Sequence, residues 1–158
     1  MADGKTWTMS NLDVTDVESF CYADDESNCR RYGRLYTWDN AGKVCATLGP
    51  GWRLPTAADW TRLAQRYGGA RGDDGRLGTE AYEALLTGGR SGFDAVLGGG
   101  RSGEGEYARG DAHGFYWTAT ESGAGTAVFY NFGKGSRGLY RQTEGEKVRA
   151  FAVRCVKD

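Results

Sequence analysis

The chain has 158 residues, of which 26 are Gly and two Pro; 39% are hydrophobic, 13% aromatic and 26% charged. That length buries roughly two-thirds of the unfolded surface, enough for one core and too little for a second full domain, and no apolar run approaches the ~18 residues of a membrane span. Lys plus Arg total 20 and Asp plus Glu 21, a formal net charge of −1, which leaves no electrostatic footprint for a nucleic-acid partner.

Extended pieces at Trp7 to Met9 and Arg34 to Tyr36 read as early strands of one sheet. From Trp38, the apolar positions Trp38, Ala41, Val44, Cys45 and Leu48 recur at helical spacing until Gly49-Pro50, which predicts a first amphipathic helix. Thr56 with Asp59 three residues later resembles a capping box. Ala57, Trp60, Leu63, Ala64 and Tyr67 then form the stripe of a second helix that stops at Gly68-Gly69. A shorter third helix is expected from Glu80 to Leu86, with Thr79 as N-cap and Gly88-Gly89 as its stop.

Beyond Gly88 the period falls to two. Tyr116 to Thr120, Ala127 to Phe132, Gly138 to Arg141 and Ala150 to Lys157 are β-rich runs separated by Gly and Ser. In the last, Phe151, Val153 and Cys155 point to a buried face, and Ala152, Arg154 and Val156 point away. Sixteen of the Gly lie between Gly88 and Gly145, interleaved with aromatics from Tyr107 to Phe151. A disordered Gly-rich segment would be poor in rings, so this region folds. The fold class is α+β: two main helices packed on an antiparallel sheet, with a long loop-rich region, in a single domain over residues 1–158.

Four cysteines allow three pairings. Cys21 and Cys29 close a local loop, while Cys45 lies on a helix stripe and Cys155 on an inward strand face, so Cys21–Cys29 with Cys45–Cys155 gives each thiol a plausible partner. Four reduced thiols in a cytosolic protein are the alternative. The Cys spacing is too irregular for a zinc knuckle, Asp24-Asp25-Glu26 and Asp73-Asp74 lack the alternation of a calcium loop, and no metal or cofactor is expected. His113 is the sole imidazole, and nothing places Ser102 or Ser122 against it as a nucleophile. Gly98 to Gly103 fits G-x-G-x-x-G without the following helix that dinucleotide binding needs. An enzyme is therefore not expected. Phe115, Phe129, Tyr130 and Tyr140, in short strands where only alternate residues can be buried, stand with Arg109, Arg137 and Arg141 in the composition of a recognition surface.

Trp7-Thr8-Met9-Ser10-Asn11-Leu12, Cys21-Tyr22, Cys29, Tyr32 to Trp38, and Gly51-Trp52-Arg53-Leu54-Pro55-Thr56 followed by Trp60 and Leu63 resemble the Fibrobacter succinogenes major paralogous domain. Gly92-Phe93, Gly98 to Arg101, Tyr116 to Glu121, Asn131-Phe132 and Phe151 to Val156 continue the resemblance over nearly the whole chain. It implies a C-type lectin-like fold with a twisted antiparallel sheet, neighbouring termini and a helix-to-last-strand disulfide, at Cys45 and Cys155 here. Many members look like variable proteins of diversity-generating retroelements, which keep a scaffold and rewrite a solvent-facing ligand site. On that likeness the scaffold is mainly 1–100 and 150–158, and the variable region about 101–150. Its candidate positions are Glu106, Ala108, Arg109, Ala112, His113, Phe115, Phe129, Tyr130, Arg137, Tyr140 and Arg141.

The expected function is non-enzymatic binding of a protein or glycan on another cell or host surface, from an extracellular, cell-surface or virion location. Met1-Ala2-Asp3-Gly4-Lys5 is not itself a secretory signal. The alternatives are a bacterial surface protein with a fixed carbohydrate ligand, or a formylglycine-generating-enzyme-like oxidase. The calcium-dependent sugar motifs are missing, since Trp38-Asp39-Asn40 reverses one of them. The C-terminal half holds Cys155 alone where the oxidase needs a pair.

Overall fold

Through residues 1–73 and 77–158, which the computed structural model describes, the chain runs β1 (Thr6–Trp7), α1 (Glu26–Tyr32), β2 (Tyr36–Thr37), α2 (Trp38–Val44), α3 (Ala57–Gln65) and α4 (Thr79–Leu85). The strands β3 (Gly98–Arg101), β4 (Tyr107–Gly110), β5 (His113–Gly123), β6 (Thr126–Gly133), β7 (Gly138–Glu146), β8 (Ala150–Phe151) and β9 (Val156–Lys157) follow. One sheet has the order β2-β8-β3-β5-β6-β7, with β4 paired to β3. The α+β class holds. The sheet is antiparallel except where β3 meets β5 in parallel at Gly99 and Gly114.

Three strand expectations need correction. The two early extended pieces do not share a sheet: β2 pairs β8, whereas β1 pairs β9 in a ladder of its own that brings the chain ends together. The last run is not one strand. It divides into β8 and β9, and Ala152, Arg154 and Val156 are as buried as Phe151, Val153 and Cys155, because the run is packed on both sides. Gly98 to Arg101, which carries the apparent dinucleotide motif, is strand β3.

The helices follow their stripes. The α2 stripe continues into a 3₁₀ turn at Cys45–Leu48; Ala41, Val44 and Cys45 are buried, but Leu48, expected on the stripe, is exposed. At α3, Thr56 Oγ1 accepts from the Asp59 amide at 3.1 Å and the Asp59 carboxylate accepts from the Thr56 amide at 2.9 Å, which completes the capping box. That carboxylate, 1% exposed, also accepts from Arg53 at 2.6 Å and Arg62 at 2.7 Å. Burial alone would raise the Asp59 carboxyl, but the hydrogen bonds from Arg53 and Thr56 outweigh it and hold it well below the usual carboxylate range. Thr79 is not the cap of α4. The left-handed Gly78 is, at φ 77°, where a Cβ would meet the Leu139 amide nitrogen at 2.9 Å. The helix α1 has no apolar stripe to announce it, since only Cys29 and Tyr32 are buried.

Alternation along β5 and β6 divides the interior in two. Tyr116, Tyr130 and Phe132 join Trp60, Leu63 and Phe93 in one cluster, under α3 and α4. Trp117 and Ala127 join Tyr36, Val44, Phe151 and Val153 in the other, under α2. Disulfides join Cys21 to Cys29 and Cys45 to Cys155, the latter across 110 positions. Replacing Cys45 and Cys155 together by Ala should lower the unfolding free energy by about 4–5 kcal/mol, and the Cys21/Cys29 double replacement by about 2.5 kcal/mol; urea unfolding of the two variants would expose any reversal of that order. The lowered carboxyl of Asp59 contributes stability above the ordinary Asp range, near pH 4, and loses it as pH falls further. Asp59→Asn should therefore cost about 1–3 kcal/mol at neutral pH and progressively less in acid; stability curves that stay parallel from pH 7 to pH 2 would contradict this.

Candidate functional site

The second face of the sheet is incompletely covered. Phe115, Trp117 and Phe129 all point to it, and the Phe151 ring lies 5.0 Å from Phe115, 4.5 Å from Trp117 and 5.0 Å from Phe129. Trp117 is fully buried and donates its indole N–H to the Tyr36 carbonyl at 2.9 Å. Phe115 and Phe129 lie beyond that cover and stay partly exposed. They floor an open groove of about 620 Å³, walled by Gly100 to Arg109 of the β3–β4 hairpin and by Glu144 to Arg149 around the end of β7. At Gly145 a Cβ would meet the Phe129 ring at 2.7 Å, so glycine lets this wall descend to the floor.

The β4 wall is held from behind. The Gly110 amide donates to the Tyr22 hydroxyl at 3.1 Å, and the Tyr107 hydroxyl donates to Asp24 at 2.6 Å. The two tyrosine rings meet edge to face at 5.5 Å. Tyr22 to Asp24 is a 3₁₀ turn beside Cys21, whose bridge to Cys29 ties it to α1.

Five of the candidate positions, Glu106, Ala108, Arg109, Phe115 and Phe129, line this groove together. His113 adjoins it: its ring stacks on Phe115 at 5.5 Å. The Asn131 amide donates to Gln142 Oε1 at 2.9 Å, so Asn131 Oδ1 faces His113 Nδ1 at 2.8 Å and the imidazole donates there. The other five positions lie elsewhere. Ala112 sits in the β4–β5 turn, where its amide donates to the Arg109 carbonyl. Arg137 pairs with Glu83 of α4. Tyr140 lies under the Arg71 guanidinium, 5.7 Å from ring centre. Arg141 faces the opposite side of β7 and pairs with Asp73 at 3.5 Å.

Tyr130 is a correction. It is not on the face that carries the groove but fully buried, stacked on Trp60 at 5.2 Å, with its hydroxyl 3.0 Å from Thr61 Oγ1 and 3.1 Å from Asp73. Its register partner Tyr116 points the same way, and desolvation pushes the Tyr130 phenol well above its ordinary pKa.

The groove also takes in residues that the sequence does not mark as ligand-binding: Arg101, Ser102, Tyr107, Glu144, Glu146, Arg149 and Phe151. Arg149 pairs with Glu146 at 3.2 Å. Among the described residues, Glu104, Glu106 and Glu144 have no ion pair, so the rim is mildly acidic. In the β4–β5 turn, Asp111 accepts from Tyr32 and, at 3.1 Å, from Arg31. Among the described residues, the one cluster spaced to hold a metal is Cys21, Glu26 and Cys29, and its sulfurs are bonded to each other; Asp74 of the acidic pair lies outside the described residues. Tyr130→Ala should cost about 3–5 kcal/mol and Arg109→Ala no more than about 0.5 kcal/mol; thermal melts of the two variants that came out equal would contradict these placements.

No curated protein and no solved structure matches the chain. The family model of the Fibrobacter succinogenes major domain matches residues 2–157, in agreement with the motifs from Trp7 to Val156. The chain belongs to the Fibrobacter succinogenes major domain family.

Proposed function

We propose that this protein is a non-enzymatic recognition module, a C-type lectin-like scaffold that presents the Phe-floored groove to a protein ligand. One observation carries the reading: Glu106, Ala108, Arg109, Phe115 and Phe129 converge from three strands and the β3–β4 turn on one open groove, and Glu106, Ala108 and Arg109 take no part in either core. Such residues can change without disturbing the framework. That is the property retroelement diversification of about 101–150 would require.

The lectin-like assignment is supported by the meeting of β1 with β9 and by the bridge from the end of α2 to the closing segment. A location outside the cell or on a virion accords with two disulfides. No helix of the described residues is long and apolar enough to cross a membrane. A protein ligand is favoured over a fixed carbohydrate because the Phe115 ring is stacked at 7° on His113 and at 30° on Phe151, not laid open as a platform for a sugar. The oxidase alternative needs reactive thiols, and both cysteine pairs are bridged.

A displayed library randomised at 106, 108 and 109 should keep its melting temperature within a few degrees and yield clones that capture different protein targets. Its source locus should carry a repeat matching about 101–150 with differences confined to adenines. Library members that mostly fail to fold would sink the recognition reading, and identical sequence across repeat isolates would sink diversification.

A further inference from the structure

Half-buried cations in this protein come with anions. Lys5, Arg34, Arg53, Arg141 and Lys147 each have a carboxylate oxygen within 4.0 Å. The fully buried Arg154 donates to Asn11 Oδ1 and to the carbonyls of Thr8, Phe93 and Asp94 at 2.6–3.1 Å. Among the described residues Arg101 is the exception. It is half-buried in the groove wall with no carboxylate in range, and its buried Nε donates to no protein atom. Its guanidinium carbon lies over Phe20, 3.8 Å from the ring centre, which holds the group against the wall. The hydroxyl beside it, on Tyr107, already donates its proton to Asp24, so that carboxylate meets Arg101 only through the hydroxyl. A half-buried guanidinium held against a ring with no carboxylate in range is open to a partner from outside.

The surroundings narrow that partner. Phe115, Phe129 and Phe151 offer apolar area beside Arg101. Val148, 61% exposed, extends it onto the rim, where it packs over Gly103. Glu104, Glu106 and Glu144 on the same rim repel a polyanion such as a uronate chain or nucleic acid, yet leave room for one negative charge at the wall.

Resting on the recognition reading above, we propose that Arg101 is the docking point for a single carboxylate of a partner polypeptide, with an apolar neighbour of that acidic residue lying on the three phenylalanines. The probes are acetyl-Phe-Asp-Phe-amide and its neutral isostere acetyl-Phe-Asn-Phe-amide, titrated against the whole chain by NMR at low salt. The Asp peptide should bind about tenfold or more tightly than the Asn peptide and shift the amides of Gly100 to Ser102. Arg101→Gln should erase the difference. If Arg101→Gln fails to fold, Arg101→Lys, which keeps the charge without the bidentate fork, should reduce the preference several-fold. Equal binding of both peptides in the groove overturns the carboxylate site and leaves the recognition reading standing. A preference that survives Arg101→Gln also overturns it. Failure of both peptides to perturb groove residues overturns the site and counts against the recognition reading as well.

Discussion

The closing segment from Ala150 to Val156 is the constraint on which the rest of this structure depends. Every residue in it is at most 4% exposed, and the segment serves both halves of the interior. Phe151, Val153 and Cys155 enter the cluster under α2, while Ala152 and Val156 enter the one under α3 and α4. Its backbone pairs with β1, β2 and β3, and the Ala152 amide donates to the Phe115 carbonyl at 2.9 Å. Arg154 ties the N-terminal stretch to the Phe93–Asp94 turn, although burial pulls its pKa down. That cost is tolerable because uncharged oxygens meet the guanidinium on several sides. A chain threaded between two cores positions Phe151 as groove floor with very little freedom.

Order in the groove decreases outward from that floor. Phe151 is fixed by the segment, Phe115 and Phe129 are fixed by it in turn, and the β4 wall depends on two hydroxyl contacts from the Tyr22–Asp24 turn. Arg109 adopts a left-handed backbone at φ 71°, unusual for a non-glycine residue. Gly110 and Asp111 follow at once, so the chain reverses directly behind the wall. A disulfide of short span, Cys21–Cys29, keeps the supporting turn in place where there is little apolar surface to do so.

What the sequence made legible follows from how local each signal is. The α3 capping box and stripe lie within twelve residues, and the period of two at Tyr116 and Tyr130 is a property of single strands, so both could be read directly. The strand β3 could not. Gly98, Gly99 and Gly100 have no side chains to alternate, and their burial comes from Tyr32, Tyr22, Phe115 and Phe151 pressing on them from distant parts of the chain. Tyr130 was misread for a related reason: alternation shows that neighbours face opposite ways but not which way is out, and the answer lies with Trp60, some 70 residues earlier. Arg101 and Phe151 read as scaffold because they sit inside the motifs that carry the family likeness. Only the pairing of β3 with β4 and β8 reveals that scaffold residues also line the groove.

That overlap limits how separate recognition and stability can be. Glu106, Ala108 and Arg109 are exposed and absent from both cores, so changes there alter the surface, with β-branched residues disfavoured at the left-handed position 109. Phe115 and Phe129 pack against the second cluster while facing the groove, and a charge at either would be desolvated by Phe151 and Trp117 without a partner. A diversified version of this surface can therefore vary freely in charge along β4 but only among apolar residues on the floor. Ligands would then share an apolar contact and differ in the polar contacts around it. In the proposed recognition role, a tolerant rim around a constrained floor would concentrate affinity where the backbone is most rigid and specificity where it is most replaceable.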